Sequence, residues 1–199
     1  TRAVEETDGI PTNNETVLHS LRVYAFVDGQ PAGHFYTKDG LDVNNPSFLM
    51  HLTMYSTMTQ KVDFYVVANE AAMETPGSSV LLTENTTETQ LNHFTFTKLN
   101  TSKGLPMFCK QTETIDLTQL SDKTPADPGH AGHTLLRQDL TFELKRPIGK
   151  LGVFAAKPVG ENSSLRVTGL TVLASGTRTR NYLMPQTDET LKAITGITG

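Results

Sequence analysis

Apolar and polar residues alternate with a period of two in five segments of the chain. Successive side chains of a strand point to opposite faces of a sheet, so this pattern predicts β-strands with one buried face. The inward positions of the first four segments are Leu21, Val23, Ala25 and Val27; Phe48, Met50, Leu52 and Met54; Val62, Phe64, Val66 and Ala68; and Leu140, Phe142 and Leu144. The fifth segment runs through Leu165, Val167, Leu170, Val172 and Ala174.

Turn-forming residues separate these segments. They are Asp28-Gly29, Asp39-Gly40, Asn44-Asn45-Pro46, Pro76-Gly77, and the stretches 125–132 and 160–163. Short strands punctuated by such turns are typical of β-sandwiches and barrels. Thr, which favours strands, is the commonest residue of the chain. We therefore expect an all-β fold whose core contains Leu21, Val23, Ala25, Phe64, Val66, Phe142, Leu144 and Val167.

One segment, residues 85–93, departs from the strand pattern. Asn85 is the predicted N-cap of a short helix, and Glu88, three residues later, would complete a capping box. Leu91 and Phe94 would then pack on one side of the helix against the sheet. The sequence thus predicts one short helix among strands.

Composition and charge argue against two classes of protein, those that bind nucleic acid and those that cross a membrane with a helix. The chain has 199 residues and a net charge of −4, only 19% of its residues are charged, and it has no run of like charges. This distribution argues against a nucleic-acid-binding surface. The longest apolar stretches, such as 64–68 and 153–156, fall far short of the roughly twenty residues of a membrane-spanning helix.

Candidate chemistry is sparse. His130 and His133 lie close together in a Gly-rich stretch, but two imidazoles without further ligands of known spacing are more often solvated than metal-bound. Cys109 would be a nucleophile only if a His lay beside it in space, and a free Cys is commonly buried packing. No phosphate-binding, dinucleotide or hydrolase motif occurs. We expect no catalytic site, no metal and no cofactor.

Four further stretches stand out in the sequence. They are 21–26 followed by Asp28-Gly29, 61–73 with its Ala68-Asn69 dipeptide, Leu105-Pro106-Met107, and 140–157. Together they resemble the fimbrillins, the subunits of type V pili of Gram-negative anaerobes. Their order along the chain matches the order in that family, with 83–96 in the place of the family's helix.

The resemblance implies a transthyretin-like β-sandwich of about seven strands with one short helix, the fimbrillin N-terminal domain. In that arrangement residues 1–17 would be a flexible N-terminal segment and residues 18–176 the sandwich. Residues 177–199 would hold the last strand and a linker, or the start of a truncated second domain.

The resemblance also implies a function. Fimbrillins are exported as lipoproteins, anchored at the outer membrane and trimmed by an Arg-specific protease, after which a strand from the next subunit fills the vacated groove. The implied partners are other pilin subunits, through donor-strand insertion, and a host or bacterial surface ligand. A membrane would be contacted only through a lipid anchor on the precursor. The lipid-bearing Cys is absent here, so a mature or trimmed form is expected.

In that family a cut after an Arg is followed by a polar, acidic stretch and then the first core strand, so the resemblance implies processing at the Arg2–Ala3 bond. The alternative is that Arg2 simply lies near a frayed end of the chain. The competing Arg22 lies within a predicted strand and should be protected. The alternative function is a cell-surface carbohydrate-binding sandwich. With no Trp and only 5 Tyr, the aromatic platform that such modules use would be hard to build.

Overall fold

A computed structural model describes residues 17–38, 41, 47–56, 58–74, 82–119, 122–124, 135–148 and 180–186. These ranges hold ten strands, one α-helix (α1, Glu88–Asn92) and two 3₁₀ turns (Glu70–Ala72 and Thr101–Lys103). The strands are β1 (Leu21–Val27), β2 (Gln30–Thr37), β3 (Thr59–Ala68), β4 (Met73–Glu74), β5 (Thr95–Phe96), β6 (Lys98–Leu99), β7 (Met107–Asp116), β8 (Asp122–Thr124), β9 (Leu135–Leu136) and β10 (Asn181–Tyr182).

The four long strands form one antiparallel sheet in the order β2-β1-β3-β7. Asp28 and Gly29 join β1 to β2, with φ angles of 49° and 77°. Two consecutive positive φ angles match the tight hairpin turn whose twist suits paired strands, and Asp-Gly is a preferred sequence for it. The described strands otherwise pair as short two-stranded units: β4 with β6, β5 with β10, and β8 with β9.

Both faces of this sheet are buried at its centre, and every residue of β1 is buried. We name the faces after two neighbouring residues of β3. The Phe64 face bears the buried cluster Leu21, Val23, Ala25, Val27, Ala32, Val62, Phe64, Val66, Ala68, Cys109 and Ile115. The Tyr65 face bears Tyr24, Phe26, Tyr65, Val67, Leu82, Leu91, Phe94, Phe108, Leu183 and Met184. The alternation predicts the members of the first cluster that lie in β1 and β3. Ala32, Cys109 and Ile115 of the first cluster, and the second cluster, go beyond it.

Two extended segments, 47–56 and 137–144, cover the Phe64 face. The alternation predicts a strand in each of them, and this is wrong: both lie outside the strands of the structure. Thr53 N donates to Ala32 O at 2.6 Å, and a single bridge joins Phe108 to Lys145. These backbone contacts reach the edge strands β2 and β7 at isolated points, so side-chain packing rather than a continuous ladder holds the segments to the sheet. Their predicted inward residues do pack on the core.

Helix α1 covers part of the Tyr65 face and begins two residues later than predicted. Its N-cap is Thr87, whose side chain accepts from Gln90 N while the Gln90 side chain accepts from Thr87 N, so Asn85 and Glu88 do not form the capping box. A hydrogen-bonded turn from Thr83 to Thr86 precedes the helix and shifts its start. The predicted packing of Leu91 and Phe94 against the sheet is confirmed.

The described residues therefore form an all-β, sandwich-like fold with one short α-helix, as the sequence predicts. Strand β10 pairs with β5, and Leu183 N donates to Phe94 O at 3.0 Å, which joins 180–186 to the Tyr65 face. The predicted strand through Val167 lies outside the described residues. The division of the chain at residues 17 and 176 stays a prediction.

Candidate functional site

A groove with a volume of about 430 Å³ opens on the Phe64 face. Its first wall is the segment 47–52, its second wall is the segment 137–144, and its floor is the sheet at Leu21, Phe64 and Val66. Leu18, just before β1, also lines it. We call this feature the Phe64-face groove.

The floor and inner walls of the groove are apolar. Along 47–52 and 140–144, half-buried residues alternate with exposed ones, so that every second side chain turns toward the sheet. Phe48 of the first wall stacks on Phe35 of β2, with ring centroids 4.7 Å apart. Phe142 of the second wall contacts Phe64 at 5.3 Å. Each wall is thus fixed to the sheet by one aromatic pair.

Gly33 of β2 allows the first wall to lie directly on the sheet. A Cβ atom at this position would lie 2.8 Å from the carbonyl oxygen of His51 and 2.9 Å from Leu52 Cδ2. Both distances are shorter than any ordinary contact, so a larger residue at 33 would force the wall outward. The position of this wall therefore depends on a residue without a side chain in the strand below it.

Charged groups line the groove only at its rim, within the part of the chain that the structure describes. They are Arg137 and Asp139, whose Nε and Oδ1 atoms form an exposed ion pair at 2.8 Å. Leu49 also lies at the rim and is 60% exposed. Such a channel suits an extended segment that packs apolar side chains at alternate positions between the two walls.

A buried ion pair lies on the Tyr65 face near the start of β1. The Nε and Nη2 atoms of Arg22 donate to the two carboxylate oxygens of Glu70 at 2.6 and 2.8 Å. Arg22 also lies over the Tyr36 ring, 3.9 Å from its centroid, and its Nη1 donates to His34 Nε2 at 3.0 Å. Burial and the nearby guanidinium lower the pKa of His34, which favours the neutral imidazole that accepts this hydrogen bond.

Arg22 is therefore held at both its backbone and its side chain. Strand β1 pairs with β2 on one side and with β3 on the other, and the guanidinium is bound by Glu70. Burial opposes the charged form, but the hydrogen bonds and charge of Glu70 raise the pKa of Arg22 overall. The geometry agrees with the expectation that Arg22 is protected from a protease.

The other predicted residues do not converge on a reactive site in the described residues. Cys109 is buried in the Phe64-face cluster with its Sγ 3.9 Å from Gln111 Oε1, and burial raises the pKa of its thiol. A raised pKa leaves less of the reactive thiolate. His130, His133, Arg2 and Ala3 lie outside the described residues. Within those residues, no group of three or more His, Cys, Asp or Glu side chains has the proximity to hold a metal ion.

No protein-family model matches the chain, and no curated protein matches it. Among solved structures, it is similar to a fimbrial assembly protein from Parabacteroides distasonis, with 20% sequence identity and a TM-score of 0.35. The likeness covers 54% of this chain and 43% of that one, so the chain spans less than half the length of that protein.

Across the described ranges, the structure has no helix with the length and apolar character of a bilayer-spanning segment.

Proposed function

We propose that the chain is a subunit of a cell-surface fimbria, structural or accessory, that accepts a β-strand from a neighbouring subunit in the Phe64-face groove. The observation that supports this most directly is the groove itself, an apolar channel between two extended walls over the centre of a sheet. The resemblance of the chain to the fimbrillins points to the same function.

The chemistry of the groove favours a strand over a small molecule. Each wall is extended but lies outside the strands of the sheet, so its backbone is suited to form a ladder with an inserted strand. The half-buried apolar side chains of the walls, such as Met50 and Leu140, would pack against every second side chain of such a strand. Apolar burial would supply the affinity, and the alternation would set the register.

A charge placed at the rim tests this function. In the full-length precursor, Leu49→Asp is expected to reduce fibre assembly about 100-fold, because an inserted strand would bury an unpaired carboxylate at a cost of about 3 kcal/mol. Leu49 is 60% exposed, so the unassembled subunit should fold normally. Electron microscopy of fibres and the distribution of oligomer sizes provide the measurement.

Met58→Asp is the matched control, since Met58 is 63% exposed and lies outside the groove lining. It introduces the same charge at an equally exposed position and should leave assembly unchanged. Normal fibres from the Leu49→Asp precursor would contradict strand insertion at this groove. Equal losses in both variants would point to a general effect of charge instead.

Maturation of the precursor is the second part of the proposal. The precursor would be exported as a lipoprotein to the outer membrane and cut between Arg2 and Ala3. An Arg2→Ala precursor treated with an Arg-specific protease should keep its upstream segment and form no fibres. N-terminal sequencing together with electron microscopy checks this. Normal fibres from the uncut variant, or a wild-type mature N-terminus other than Ala3, would contradict it.

A further inference from the structure

The side-chain amide of Asn69, the residue immediately after β3, forms hydrogen bonds with the segment that leads into β1. Its Nδ2 donates to Val17 O and to Leu105 O, both at 2.9 Å. Its Oδ1 accepts from His19 N at 2.7 Å and from Ser20 N at 3.4 Å. The two donors and two acceptor positions of the amide are all used, and the residue is fully buried.

The backbone at Asn69 supports the same contact. Asn69 N donates to Ser20 O at 3.0 Å, and Ala72 N donates to Asn69 O at 2.9 Å. Asn69 adopts a left-handed conformation, with φ 55° and ψ 42°, which Asn tolerates better than most residues. This conformation ends the strand and starts the 3₁₀ turn whose first residue, Glu70, binds Arg22. Two adjacent residues thus hold the chain from Val17 to Arg22.

Gly104 packs closely against the side-chain amide of Asn69. Its φ is +86°, and a Cβ atom there would lie 2.5 Å from Asn69 Nδ2 and 3.0 Å from His19 Cδ2. A side chain at 104 would therefore displace the Asn69 amide from its partners. The close packing of Asn69 requires glycine at this position for both backbone conformation and space.

We propose that Asn69 is an anchor: it holds residues 17–20 in place, so that movement of the chain upstream of Val17 is not transmitted to strand β1. The upstream chain can then be cut or exchanged while β1 stays in the sheet. Because Leu18 lines the Phe64-face groove, the anchor also fixes the position of Leu18 at the groove. This role in strand exchange rests on the proposed function, but the anchoring itself is a property of the single subunit.

The anchor should restrict local opening at the start of β1. Buried hydrogen bonds that hold one short segment raise the free energy of local opening there without changing the centre of the sheet. Amide hydrogen exchange of the mature chain, without any partner, resolves the two regions. The readouts are the amides of 19–22 and, as an internal reference, those of 62–66 in β3.

Asn69→Gly removes the side chain while keeping a residue that readily adopts the left-handed conformation. We expect exchange at 19–22 to accelerate at least about tenfold, against less than about threefold at 62–66. Gly104→Ala should produce the same selective change by displacing the amide. Asn85→Ala is the matched control, because Asn85 is an exposed Asn in the turn before α1 that supplies none of the Asn69 contacts, and it should change neither region.

Equal acceleration in both regions would show that Asn69 stabilises the whole sheet and would overturn the anchor. An unchanged rate at 19–22 would overturn it as well. If Asn69→Gly does not fold, Gly104→Ala provides the same readout, and failure of both to fold would also count against a local anchor. The groove proposal is judged separately by fibre assembly of Leu49→Asp, so failure of one does not imply failure of the other.

Discussion

Replacing Phe64 with Ala is expected to lower the free energy of unfolding by about 3–5 kcal/mol. Phe64 is 1% exposed, lies in the inner strand β3, and contacts the Phe142 ring of the second wall. Truncation removes apolar burial and leaves a cavity between sheet and wall that neighbouring strands prevent from collapsing. Urea unfolding with an unchanged m-value measures the loss.

Leu49→Ala is the matched control for this measurement, because Leu49 is 60% exposed on the same face. Its effect should stay within about 0.5 kcal/mol. Phe142→Ala combined with Phe64→Ala should cost less than the sum of the two single changes, since they share one contact. A loss below about 1.5 kcal/mol for Phe64→Ala would contradict the burial described here.

Glu70→Ala is expected to destabilise the protein by about 3 kcal/mol, although it removes only one carboxylate. The side chains of Arg22 and Glu70 are 9% and 17% exposed, and the pair is bidentate. Without Glu70, the guanidinium stays largely buried beside His34 and has lost its ion-pair partner. Thermal and denaturant unfolding at neutral pH provide the measurement.

The double variant Arg22→Met/Glu70→Ala separates the loss of the pair from the cost of an uncompensated charge. Replacing both members removes the buried charge altogether, so the double variant should be more stable than Glu70→Ala alone. If the double variant is as unstable as the sum of both single variants, the two side chains act independently. That result would contradict the coupling inferred from the geometry.

The alternation identified the residues that face the Phe64 side, even in 47–56 and 137–144, where no strand forms. A period of two reports that the chain is extended and half buried, but it does not report whether a neighbouring backbone completes a ladder. The alternation does not predict that the Tyr65 face is buried. Tyr24, Phe26 and Tyr65 occupy the positions treated as outward, although the continuous apolar run 64–68 is also typical of a strand buried on both faces.

The groove and the anchor depend on distances that the sequence does not encode locally. The groove requires two segments from opposite halves of the chain to cover one sheet face. In the sequence, Asn69 stands out only as part of the Ala68-Asn69 dipeptide. Its partners lie at 17–20 and at Leu105, far from it in sequence. The predicted N-cap, Asn85, precedes the observed N-cap, Thr87, by two residues. Both are good N-cap residues, and the preceding turn decides between them.

The two-residue turn at Asp28-Gly29 has a consequence for the order in which the molecule assembles. Strands β1 and β2 are adjacent in sequence, and a hairpin of this kind forms within about 1–10 μs. Pairing of β3 with β7 must close a much longer loop, which includes α1, and is therefore slower. The two groove walls are held to the sheet mainly by side chains, so we expect them to dock after the sheet has formed. Opening of the walls would then leave the central ladder intact.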